Sequence, residues 1–139
     1  MSDNEIEILI LIVGLFGGGL MLVLLFTIFK DMITGIFNLN YDEIKSNLKE
    51  LPQNIFTVQL SSINNLIFRG FWVTIELYLD FIIFKIFNRA LVVKDFSNIE
   101  LTGKFTSSLI VTSGNNKLKF SLPIKVYEVI KEFLEEKNV

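Results

Sequence analysis

Residues Phe71 to Phe87 read FWVTIELYLDFIIFKIF, a run apolar enough to raise the question of a membrane crossing. Glu76, Asp80 and Lys85 interrupt it at short intervals, and each would be costly in hydrocarbon. A strand accommodates them, because its successive side chains point to opposite faces. Val73, Ile75, Leu77 and Leu79 then make one row, and Thr74, Glu76, Tyr78 and Asp80 make the other. Ile82, Phe84 and Ile86 alternate in the same way with Ile83, Lys85 and Phe87. The stretch is expected to form strands with a core face and a wet face, with Glu76 on the wet side.

The same period of two extends outward in both directions. Phe56, Val58 and Leu60 alternate with Thr57, Gln59 and Ser61. Further strands fit Ala90 to Lys94, Asn98 to Thr102, Ser107 to Thr112 and Lys117 to Leu122. Ser113-Gly114-Asn115-Asn116 between the last two is a hairpin signal. Helical spacing brackets this region. Asn40 offers an N-cap, with Glu43 three places on as in a capping box. Tyr41, Ile44, Leu48 and Leu51 form one stripe, which Pro52 ends. That short helix suits either the bilayer surface or the face of the domain. At the other end, Pro123 suits a first helical position. Val126, Val129, Ile130, Phe133 and Leu134 then lie on one face of a terminal amphipathic helix.

Before all this stands Ile8 to Phe29, ILILIVGLFGGGLMLVLLFTIF, without a charge and with Thr27 as its one polar side chain. At ~1.5 Å rise per residue such a run crosses the ~30 Å hydrocarbon core of a bilayer as a helix. The head carries Asp3, Glu5 and Glu7, while Lys30, Lys45 and Lys49 follow the run. Basic residues beside a span stay cytoplasmic, so the N-terminus is expected outside the cell membrane and the domain within. An acidic head and the lack of an A-x-A site argue against a cleaved signal peptide. Gly14 and Gly18 form a G-x-x-x-G pair, a pattern that lets membrane helices pack closely and that suggests homo-oligomerisation through the span. The expected layout is a head over 1–7, a transmembrane helix over 8–29, a juxtamembrane segment over 30–52 and a domain over 53–139.

Composition narrows the chemistry. The 139 residues include neither Cys nor His, which removes thiol nucleophiles, imidazole bases and the usual zinc ligands. No cofactor is implied. Glu76 and Asp80 on one regular strand would stand about 13 Å apart, too far to share a metal or flank one bond. The isolated Gly70, Gly103 and Gly114 make no phosphate loop. An enzyme is thus the least favoured reading. A net charge of −2 argues against nucleic acid, whose binding depends on Lys and Arg. Basic residues nonetheless concentrate at Lys85, Arg89, Lys94, Lys104, Lys117, Lys119 and Lys125, against only Asp95 and Glu100 in the same region. They suggest a face toward an anionic leaflet, or Lys guarding strand edges. Phe71, Trp72, Phe81, Phe87, Phe96 and Phe105 need not all fit one small core, and those left outside would mark an interface.

The order of elements, about seven short antiparallel strands and then an amphipathic helix, resembles the pleckstrin-homology-like (PH-like) plan. The second half is similar to the bacterial pleckstrin-homology domain family. Leu91-Val-Val-Lys-Asp-Phe-Ser-Asn-Ile-Glu-Leu101 matches that family's strand, polar turn and following strand. Gly103, the strand around Ser108 to Thr112, the Gly-Asn hairpin and the last strand and helix follow in family order. The resemblance implies an α+β, mainly β fold: an N-terminal transmembrane helix, then a bent sheet closed by the C-terminal helix. It further implies a binding or scaffolding module on the lipid bilayer that recognises a protein partner or the membrane surface. A small accessory protein, such as a bacteriocin self-immunity or envelope-stress factor, is the alternative by analogy. Lipid-binding members carry Lys and Arg in and after the first strand. Here Ile55 to Phe68 has none and Arg69 stands alone, which argues against an inositol phosphate grip.

Overall fold

One uninterrupted helix, α1 (Asp3–Ile36), carries the apolar run in the computed structural model of the chain, which describes residues 2–103 and 106–137. The helix is long and apolar enough to cross a membrane. It extends past Ile8–Phe29 at both ends. At the start, the Ser2 amide donates to Glu5 Oε2 at 2.9 Å and the Glu5 amide to Ser2 Oγ at 3.3 Å. This is a reciprocal capping box, legible as S-x-x-E. At the far end no proline interrupts Lys30 to Ile36. Within the run, Thr27 Oγ1 donates to the Val23 carbonyl at 2.8 Å, which satisfies the one hydroxyl there.

The chain divides into two compact units, Met1–Gly35 and Ile36–Val139. In the second, nine strands among the described residues form one antiparallel sheet. They are β1 (Leu39–Asn40), β2 (Asn54–Ile63), β3 (Leu66–Ile67), β4 (Trp72–Leu77), β5 (Ile82–Ile86), β6 (Arg89–Val93), β7 (Ile99–Thr102), β8 (Ser108–Ser113) and β9 (Asn116–Ser121). Their spatial order is β1-β6-β5-β4-β2-β9-β8-β7, with β3 paired to β2. Helix α2 (Tyr41–Asn47) lies between β1 and β2, and α3 (Ile124–Lys137) closes the chain.

Register fixes which residues share the core. Phe56↔Ile75↔Phe84↔Leu91 runs across four strands, and Leu60↔Phe120↔Leu109 runs across three. The Phe84 and Phe120 rings stack at 5.2 Å between centroids, although β4 and β2 intervene between their strands. Three strand spacings of ~4.8 Å would separate them by ~14 Å in a flat sheet. The sheet must therefore curl so that its two halves meet. Ile130, Phe133 and Leu134 of α3 are buried, and Phe133 meets Phe96 edge-on at 5.5 Å.

Turn chemistry explains most of the connections. Asn64 and Asn65 both take positive φ, 51° and 71°, as the tight β2–β3 hairpin requires. Asparagine tolerates this backbone better than other side chains. Gly70 (φ 79°) accommodates the two residues that loop out between β3 and β4, and Gly114 (φ 59°) turns β8 into β9.

Several sequence expectations need correction. Glu76 is not on a wet face but 1 % exposed, because α2 covers that side of the sheet. Strand β4 ends at Leu77, so Asp80 lies beyond it in an exposed bend and shares no strand face with Glu76. Helix α2 stops at Asn47, with Leu48 as its C-cap, and leaves Leu51 87 % exposed. The Asn40 cap does form, its side chain accepting from the Asp42 and Glu43 amides. β7 begins at Ile99 because Asp95 Oδ1 accepts from the Ser97 amide and hydroxyl and winds Phe96–Asn98 into a 3₁₀ turn.

Candidate functional site

Packing of α2 on the sheet assembles a polar cluster inside an apolar frame. Tyr41, Ile44 and Leu48 pack on Tyr78, Ile83 and Ala90, with Phe81 and Val92 alongside. Of the two settings the sequence left open for this helix, the domain face is the one it occupies. At the centre, Lys45 Nζ lies 2.8 Å from Glu76 Oε1 and donates to Tyr78 Oη at 2.8 Å. Tyr78 in turn donates to Glu76 Oε1 at 3.3 Å. Lys85 Nζ sits 4.1 Å above the Tyr41 ring, a cation–π contact. Glu76 Oε2 is buried without a hydrogen-bond partner.

These contacts set the protonation of the cluster. Burial disfavours the Lys45 charge, but hydrogen bonds to Glu76 and Tyr78 and the attraction of both outweigh it, holding the ammonium above its ordinary range. Burial, with Glu76 nearby, keeps the Tyr41 phenol above its usual range. Burial also raises Tyr78, even though Lys45 pulls the other way. The arrangement is a neutralised ion pair with two protonated phenols. It holds a helix in place.

The basic residues occupy different surroundings. Lys85 is engaged with Tyr41 under α2. Arg89 Nε donates to the Phe37 carbonyl at 3.0 Å and so fixes where the chain enters the sheet. Lys94 is exposed just after β6, and Lys117 and Lys119 are exposed on β9, four strands away from β6 in the sheet order. Lys104 and Phe105 lie outside the described residues. Gly14 and Gly18 have nothing within 4 Å of where a Cβ would stand, which leaves a shallow notch on α1.

Strand direction brings three hairpin tips together. β2, β5 and β8 run the same way, since two antiparallel pairings separate β2 from β5 and two separate β2 from β8. The tips at 64–65, 87–88 and 114–115 therefore project from one end of the sheet. Asn64 Nδ2 donates to Asn116 Oδ1 at 2.7 Å, and the Lys117 amide donates to Asn64 Oδ1 at 2.8 Å, which ties two of the tips together. Leu66, Ile67, Trp72 and Phe87 are all exposed here, Ile67 by 81 % and Phe87 by 70 %. Phe87 also holds φ 52°, a left-handed conformation that costs a side-chain-bearing residue roughly 1–2 kcal/mol. Of the aromatics that the sequence marks as candidate interface residues, Trp72 and Phe87 are the ones left outside among the described residues. The Asn64-Asn65 tip was legible as two asparagines between apolar runs, yet the sequence reading passed over it.

Comparison of the chain with protein-family models, with curated proteins and with solved structures gives no match in any of the three.

Proposed function

We propose that this chain is a membrane-anchored, non-catalytic recognition module of PH-like build, which engages a protein partner through the end of the sheet that carries the three hairpin tips. Four exposed apolar side chains gathered there, one of them on a strained backbone, carry the reading. Clusters of this kind mark interaction surfaces, and strain at a turn persists where function uses it. The strand order supports the PH-like build: a four-strand meander (β2-β4-β5-β6) and a three-strand meander (β7-β8-β9) join through β2 and β9, with a helix at the C-terminus. Helix α1 serves as the anchor, and the Lys residues that follow the span, against none before it, support a cytoplasmic domain.

A photo-crosslinking amino acid at Ile67 or Phe87 in living cells should give a discrete protein adduct. The same residue at Ile55 should not, since Ile55 is exposed near the opposite end of β2. Equal labelling at Ile55, or no protein adduct at either tip, would refute the interface. Protease added to intact spheroplasts should leave the domain uncut, and cleavage there would reverse the proposed topology.

A further inference from the structure

Between α2 and the β5–β6 hairpin lies an open cleft of about 260 Å³, lined by Leu39, Ile44, Leu48, Phe81, Val92 and Lys94. We propose that this cleft takes up a segment of one acyl chain of an anionic phospholipid from the bilayer that α1 crosses, with Lys94 at its rim holding the phosphate. The proposal rests on the reading of α1 as a span and is independent of what the hairpin tips recognise.

Three observations select this occupant. The volume exceeds the roughly 150 Å³ of an apolar cavity that takes up benzene, so there is room for a flexible hydrocarbon segment. Five of the six lining side chains are apolar, and none is a carboxylate. The sixth, Lys94, is exposed, and the adjacent Asp95 is occupied by the Ser97 amide and hydroxyl. An apolar bed with one cation at its mouth complements a hydrocarbon tail bearing a negative head. The third observation is covalent reach. Leu39, part of the lining, follows Phe29 by ten residues, most of them helical, which spans at most roughly 20 Å. The headgroup layer itself takes up ~5–7 Å of that distance. Anionic lipid at the inner leaflet is thus the most concentrated ligand of this chemistry within the cleft's tether.

The test uses the full chain in lipid nanodiscs doped with phosphatidylglycerol or phosphatidylcholine, each bearing the same diazirine-tagged acyl chain. After illumination, adducts are mapped by peptide mass spectrometry. Both lipids should label α1. Phosphatidylglycerol should label peptides carrying residues 39–48 and 81–94 about 5-fold more than phosphatidylcholine, the preference expected of one Lys near an anionic surface. Leu48→Trp, filling the cleft from the helix side, should suppress the cleft adduct and leave the α1 adduct unchanged. Val92→Phe fills it from the strand side and serves where circular dichroism shows Leu48→Trp to be misfolded. Lys94→Glu should remove the headgroup preference, and Lys119→Glu on β9 should not. Labelling confined to α1, equal labelling by the two lipids, or cleft adducts that persist when the cleft is filled would overturn the proposal. An unlabelled α1 would instead remove the span that the proposal presupposes.

Discussion

Replacing Lys45 with Met leaves the Glu76 carboxylate stranded under α2. Its Oε1 would keep only the long 3.3 Å bond from Tyr78, and its Oε2 has no partner to begin with. Exposed ion pairs contribute about 0–1 kcal/mol, whereas breaking a buried pair costs about 3–5 kcal/mol. This pair has one end of each kind, with side-chain exposure of 34 % for Lys45 and 2 % for Glu76. The expected cost of Lys45→Met is therefore intermediate, about 2–3 kcal/mol. Adding Glu76→Gln removes the unpaired charge while keeping its shape, and should recover about 1–2 kcal/mol of that loss. Urea unfolding in detergent, read from the fluorescence of the single Trp72 on β4, measures both. With a typical slope of ~2 kcal/mol per molar, the Lys45→Met midpoint should fall by ~1–1.5 M. A midpoint unchanged within ~0.3 M, or a double variant no more stable than Lys45→Met, would refute the argument that α2 is held by a buried charge.

Three further outcomes follow from the same geometry. Phe87→Gly should stabilise the domain by about 0.5–1 kcal/mol, because glycine accepts the left-handed turn while the exposed ring loses little burial; destabilisation in the same urea assay would show that the ring packs against the fold. Gly103→Ala should cost about 1–2 kcal/mol, since a Cβ there would stand 2.8 Å from Tyr127 Oη on α3; adding Tyr127→Phe should return part of the loss, and a neutral Gly103→Ala would contradict the close approach. Alkaline pH should loosen α2: Lys45, Tyr41 and Tyr78 all titrate above their ordinary 10.5, 10.0 and 10.0 in the folded chain, so their stabilisation is complete below those values and is lost as pH climbs through the raised ones. Hydrogen exchange of 41–47 should rise more steeply between pH 10 and pH 12 than intrinsic exchange predicts, and less steeply in Lys45→Met.

Alternation alone located β4, β5, β6, β8 and β9, because in each strand an inward row of large aliphatics must be buried. It placed Glu76 wrongly for a physical reason. A polar residue at an outward position is ordinarily wet, and only the return of α2 across β4 and β5 puts Glu76 out of water. That contact joins Lys45 to a residue 31 positions away, and no local period encodes it. Polar strand ends were equally hard to see. Ser62 extends β2 beyond Ser61 because it pairs with Ile67 and Lys119, and the Ser61 and Ser121 hydroxyls meet. The two-residue β1 exists only because β6 offers it a partner. The candidate site was visible as loose aromatics, and its assembly at one end required the strand directions.

The Thr27 hydroxyl constrains how α1 can meet another surface. Its proton is given to the Val23 carbonyl, so the oily cylinder from Ile8 to Phe29 has no donor left to offer a neighbour. On the proposed reading of α1 as a span, lateral recognition in the bilayer would depend on contour: how snugly another surface fits the shallow relief left by the glycines. Such a fit should be indifferent to salt and acidity, and sensitive to a single added methyl group.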